Sequence, residues 1–214
     1  MTAARAAEFL ALLVGAYLLG AVPFGVLIGR WFHGVDVREH GSRNIGTTNV
    51  FRVLGARAGV AVLACDMLKG FVPAWLAAHW FSPWPAIFIA AAPVVGHLYP
   101  VYLRFRGGKG VATGAAVVLA LVPAAFAIIL AVWLTLIALT RYVSVASLVA
   151  SALVPVLVIA FGHPLPYRIA AVLVAVVVWW AHRGNIRRLR EGTEHRVRLP
   201  WDRGSRLSAT GGRP

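Results

Sequence analysis

Three polar strings interrupt an otherwise apolar chain, and each has the composition of an anion site. The first is GSRNIGTTN at 41–49, followed by Arg52. Gly41 and Gly46 let the backbone bend close to a ligand. Ser42, Asn44, Thr48 and Asn49 supply short polar donors, and Arg43 and Arg52 add fixed positive charge, a set suited to phosphate or carboxylate. A solvated turn between helices has the same composition, so both readings stand on local grounds. The second string is GGKGVAT at 107–113. Gly107, Gly108 and Gly110 surround Lys109 just before an apolar run, where amides at a helix start favour anions and Lys109 adds a point charge. Its spacing is not that of a P-loop.

The third string is HRGNIRRLREGTE at 182–194. His182 and Asn185 are three apart, so a helix puts them on one face. His182 titrates near neutral pH, or else hydrogen-bonds to headgroups at the interface. The arginines read first as ligands of anionic lipid. Two further features lie inside apolar runs. Asp66 and Lys69 are read as a neutralising ion pair ahead of a catalytic one, and His97 as a buried, satisfied histidine ahead of a site residue.

The elements that must position these strings are hydrophobic helices. Of the 214 residues, 60% are hydrophobic and 13% charged, where a soluble domain has roughly 45–50% and about 25%. Phe9 to Gly29, Phe71 to Leu103, Gly110 to Thr140 and Tyr142 to Tyr167 carry no formal charge, and crossing a bilayer core takes about 20 helical residues. Proline and glycine divide these runs. The chain is therefore expected to be an all-α integral membrane protein of about seven transmembrane helices, at 8–30, 56–80, 85–103, 110–121, 124–140, 143–161 and 168–184. A five-span arrangement follows if the last segment lies in the interface. The first run is too long for a signal-peptide core and is read as a retained span.

The loops after the first, third, fifth and seventh helices hold five, three, one and nine Lys or Arg, 18 of the 21. The positive-inside rule then puts the N-terminus outside and the C-terminus in the cytoplasm. The same placement, between spans, argues against nucleic acid as the reason for the net charge of +14. One transmembrane catalytic domain is expected over 1–194, with a basic, poorly ordered tail over 195–214. The single Cys65 excludes an internal disulfide framework. Neither metal-ligand spacing nor a cofactor motif is present, so none is expected. No internal repeat suggests an inverted-repeat transporter.

Together the three strings resemble the bacterial acyl-phosphate:glycerol-3-phosphate acyltransferase family. DMLKG at 66–70 and GHLYPVYLRF at 96–105 extend the resemblance from the first helix to Glu194. Two positions depart from the family pattern: Arg43 stands where Gly is usual, and Thr47 where Ala is common. The resemblance implies a seven-helix enzyme of the bacterial cytoplasmic membrane with its site facing the cytoplasm. It implies transfer of a fatty acyl group from acyl phosphate to sn-glycerol 3-phosphate, giving lysophosphatidic acid and phosphate in phospholipid synthesis. It matches Ser42, Arg52, Lys109, Asn185 and His182 to substrate-binding positions, with Ser144 or Ser147 closing the site. His182, Asn185 and Lys109 are the expected catalytic group. His182 is either a general base or an orienting ligand of a phosphate. The expected partners are the two substrates and the bilayer, and the resemblance admits the acyl-phosphate-forming enzyme as another. The HxxxxD motif of other glycerolipid acyltransferases is absent. The alternative is an anion or organophosphate transporter, which would spread charged residues along a path across the bilayer.

Overall fold

The computed structural model describes residues 2–197 and contains only helices and turns among them. Helix α1 (Ala3–Ala21) starts at Thr2, whose hydroxyl accepts from Arg5 N at 3.3 Å. Pro23 then stops it, because proline has no N–H to continue the ladder. The chain resumes as α2 (Phe24–His33), which ends on Gly34 in the left-handed conformation, φ 64°. The remaining helices are α3 (Thr47–Leu54), α4 (Ala56–Trp80), α5 (Pro83–Leu98), α6 (Val111–Leu121), α7 (Pro123–Thr140), α8 (Val143–Ala160), α9 (Leu165–Ala181) and α10 (Arg183–Arg190), with a 3₁₀ turn at Val101–Leu103.

A helix covers each of the seven expected positions, but by length and composition only five or six spans form among the described residues, not seven. The first expected helix is split at Pro23 into α1 and α2. Short helices α3 and α10 form inside the polar strings. Five helices, namely α1, α4, α5 with its following turn, α7 and α8, are each long and apolar enough to cross a membrane. The α9–α10 pair, bent by 55°, gives a sixth. Helix α6 has 11 residues, a length of ~16 Å at 1.5 Å per residue, and does not span ~30 Å by itself.

Helix α5 packs between α1 and α4, while α7, α8 and α9 pack in sequence beside them. Small residues allow the close α1–α5 contact. A Cβ on Gly20 would fall 2.3 Å from Pro93 Cα, and one on Gly96 would fall 2.3 Å from Tyr17 O. Leu134, Val156, Leu173 and Val176 point out of the bundle, as side chains do where lipid is the solvent. At one end Arg5 Nη1 donates to Trp80 O and Arg168 Nε to His163 O. The three polar strings gather at the other.

Ordered contacts run past the expected boundary at 194. Val197 N donates to Arg141 O at 2.8 Å, and Arg196 Nε to Tyr142 Oη at 2.8 Å. Most of the tail expected beyond 195 lies outside the described residues.

Candidate active site

The first string is held by Asn49. Its buried Nδ2 shares its protons among Val37 O at 2.8 Å, Asn44 O at 2.9 Å and His40 O at 3.1 Å, and its Oδ1 accepts from Ser42 N at 2.8 Å. Arg52 Nη1 donates to the same Oδ1 at 3.5 Å, so both ends of the Asn49 amide are engaged within the loop, and this expected ligand shapes it. Gly41 sits at φ 59°, and a Cβ there would meet Asn49 Oδ1 at 2.4 Å. Asn44 Oδ1 accepts from Gly46 N at 2.9 Å, and Gly46 caps α3. The loop's entry is pinned by Asp36, whose carboxylate takes Arg38 and Arg30 at 2.6 and 2.7 Å. The hydrogen bond from Arg38 outweighs burial and holds Asp36 well below the usual carboxylate range. Thr48 is exposed and does not line the cleft described below.

The second string also differs from expectation. The last carbonyls of a helix lack partners within it. Those of α5 are met by the glycine loop: Gly108 N donates to His97 O at 3.0 Å and Gly107 N to Leu98 O at 3.1 Å. These two amides are engaged and do not cradle an anion. The glycines are there because the backbones touch. A Cβ on Gly107 would lie 2.1 Å from His97 O. Gly110, at φ 73°, then turns the chain into α6. Lys109 is thrown across the site, where Nζ donates to Asn185 Oδ1 at 2.5 Å. Burial lowers its pKa to about 8, with Arg188 and Arg52 acting the same way and Glu194 opposing them.

The third string bends at His182, the junction of α9 and α10. His182 is buried, and its Nδ1 lies 2.8 Å from Val178 O. A carbonyl only accepts, so Nδ1 carries the proton and Nε2 of the neutral ring is an acceptor. Burial and then the charge of Lys109 lower the pKa of His182 to about 4, against the Val178 bond and Glu194. At neutral pH the ring is uncharged and cannot donate through Nε2.

Glu194 is the acidic centre of the cluster, and reading the strings separately did not single it out. Its Oε1 accepts from Asn185 Nδ2 at 2.5 Å and Ser144 Oγ at 2.9 Å, and its Oε2 from Arg188 Nε at 2.7 Å. Burial by itself would raise Glu194, but these donors hold it below the usual range. Arg52 lies within electrostatic reach of Glu194 and Arg188. Ser147 accepts from Trp133 Nε1 at 3.3 Å and belongs to the α7–α8 packing.

Lys109, Asn185 and Arg188 border a cleft of about 540 Å³, and Ser42, Asn44, Ala181, Arg183, Gly184 and Arg187 complete the nine residues of its lining. Four of the nine are cations, which suits a phosphate-bearing ligand. A second cavity of about 260 Å³ shares Asn44, Lys109, Ala181 and Arg183 with it and adds the apolar walls of Leu98, Tyr99, Phe105 and Trp180.

Fold and cleft define an integral membrane protein of packed helices with a cation-lined cleft at one end of the bundle. A sequence model of the glycerol-3-phosphate acyltransferase family matches residues 10–192, and the chain belongs to that family. A glycerol-3-phosphate acyltransferase of Geobacillus kaustophilus is 44% identical over 192 residues, 90% of this chain and 98% of that protein. One from Desulfotalea psychrophila is 49% identical over 184 residues, 84% of this chain and 93% of that one. The crystal structure of PlsY (YgiH), an integral membrane glycerol 3-phosphate acyltransferase, superposes in its glycerol 3-phosphate form with a TM-score of 0.87 at 41% identity, covering 89% of this chain and 96% of that one. Its lysophosphatidic acid form gives 0.84.

Proposed function

We propose that this chain transfers a fatty acyl group from acyl phosphate to sn-glycerol 3-phosphate. The observation that carries this is the joining of two cavities at Lys109, one lined by four cations and the other by Leu98, Tyr99, Phe105 and Trp180. Such a pair accommodates a phosphate and an acyl chain meeting at one point. Forms of the PlsY structure with glycerol 3-phosphate and with lysophosphatidic acid support the acceptor and the product.

In the step, the acceptor's primary hydroxyl oxygen attacks the acyl carbonyl carbon. The new ester C–O bond forms as the C–O bond to phosphate breaks, and phosphate leaves with the bonding pair. The hydroxyl proton passes to the leaving phosphate, directly or by way of His182 Nε2. Acyl phosphate is an activated anhydride, so alignment and charge neutralisation by Lys109 and the arginines supply most of what the reaction needs. Ser42 and Asn44 bind acceptor oxygens, and Asn185 and Glu194 fix Lys109.

The cleft faces the cytoplasm in this account, since the polar strings share one bundle end and the loops there carry most of the Lys and Arg. Cysteine placed at Ser42 should be shielded from an impermeant thiol reagent in intact cells, and labelling from outside would overturn that placement. The donor is tested by supplying purified protein with glycerol 3-phosphate and acyl phosphate, acyl-CoA or acyl carrier protein in parallel. Product is expected from acyl phosphate alone, and product from a thioester alone would overturn the donor assignment.

A further inference from the structure

The buried Asp66, Lys69 and His97 take no part in the chemistry above, yet they link a helix break to the substrate loop. Pro23 frees the end of α1, and Lys69 Nζ reaches from α4 to donate to Val22 O at 3.0 Å. The same Nζ lies 2.7 Å from Asp66 Oδ1. Asp66 Oδ1 lies 3.7 Å from His97 Nδ1 on α5. His97 meets Gly108 twice: its carbonyl accepts from Gly108 N at 3.0 Å, and its Nε2 occupies the space a Gly108 Cβ would need, 2.2 Å from that point. Gly108 precedes Lys109. Ionisable groups at this depth are costly, and well-packed apolar residues would fill the volume at lower free energy. What the polar trio adds is direction. At 3.7 Å no hydrogen bond joins Asp66 Oδ1 to His97 Nδ1, so the trio holds the imidazole by charge and packing, against a residue too close to carry any side chain.

We propose that His97, oriented by Asp66 and Lys69, is a positioning residue that sets the Gly107–Lys109 loop so that Lys109 Nζ reaches Asn185 in the cleft. The effect on catalysis rests on the function proposed above, whereas the effect on Lys109 placement does not. His97→Gln and Asp66→Asn remove the geometry with little change in volume.

The test combines kinetics, a double-mutant cycle and labelling of Lys109 on the full-length protein in detergent. Each variant should raise KM for glycerol 3-phosphate about tenfold, with kcat within about threefold, as expected when a ground-state contact is misplaced. In a Lys109→Ala background the same substitutions should add almost nothing, because residues that act through one another are not additive. Full additivity would overturn the proposal. The rate at which trinitrobenzenesulfonate modifies Lys109, followed by mass spectrometry, should change in both variants while the melting temperature holds. An unchanged Lys109 rate overturns positioning even if activity falls. A wild-type protein with no acyl transfer overturns the function alone, since Lys109 labelling still reads the loop. If His97→Gln fails to fold, Asp66→Asn carries the comparison.

Discussion

Lys109 Nζ donates to Asn185 Oδ1 over 2.5 Å, joining residues 76 positions apart in the chain. An ammonium has only donors, so the amide of Asn185 is fixed: Oδ1 faces Lys109 and Nδ2 faces Glu194. Asn185→Asp therefore replaces a donor with a carboxylate 2.5 Å from Glu194 Oε1. We expect kcat/KM to fall by about a hundredfold, close to 3 kcal/mol, the upper range for a hydrogen bond to a charged group. Partial recovery at lower pH is expected as one carboxyl of the pair takes a proton. Steady-state kinetics between pH 5 and pH 8 checks both.

Lys109 has its pKa lowered to about 8. It is charged below that value and loses charge as pH rises through it. KM for glycerol 3-phosphate should therefore climb above pH 8, about two and a half units earlier than an ordinary lysine would allow. Lys109→Arg should remove the rise, because a guanidinium keeps its charge. A flat wild-type KM up to pH 10 would take Lys109 out of phosphate binding.

For His182, with a pKa near 4, the neutral form persists down to about pH 5 and is lost below. The ratio of wild-type to His182→Gln kcat/KM cancels the substrate's own ionisation near pH 6. That ratio should stay flat from pH 8 to 5 and fall only towards 4. A limb near 6.5 would mean a solvated, ordinary imidazole. His182→Gln should keep part of the activity, because its carbonyl accepts a hydrogen bond where Nε2 does. His182→Phe should lose ~10²-fold or more, the low end for a proton-handling group.

The two serines at the start of α8 separate cleanly. Ser144 binds the Glu194 carboxylate and Ser147 only the indole of Trp133. Ser144→Ala should lower kcat/KM by roughly tenfold, near 1.5 kcal/mol, while Ser147→Ala and Thr48→Ala should stay within about twofold. Equal losses at both serines would contradict the assignment.

The helices were legible because apolar runs of this length have few alternatives to crossing a membrane. The break at Pro23 was hidden because the uncharged run continues to Gly29, so α2 looked like the end of α1. Helix α3 was masked by the Gly, Thr and Asn that also make loops. Composition marked the three strings as polar and converging, but not which group accepts from which donor. The amides of Gly107 and Gly108 looked free for an anion, yet the carbonyls of α5 engage them, a contact that only the α5–α6 turn reveals. Asn49 looked like a ligand and is the loop's internal fastener. Glu194 was visible as an acid among arginines. Its role depends on Ser144, fifty residues away in the sequence and brought close only by the packing of α8 against α9.

The most direct measurement is the stoichiometry of a single incubation of purified protein with acyl phosphate and radiolabelled glycerol 3-phosphate. Labelled lysophosphatidic acid and inorganic phosphate should appear in equal amounts, and both should fall together in Lys109→Ala. Phosphate released without labelled lipid, or labelled glycerol 3-phosphate taken into sealed vesicles without acylation, would contradict the account.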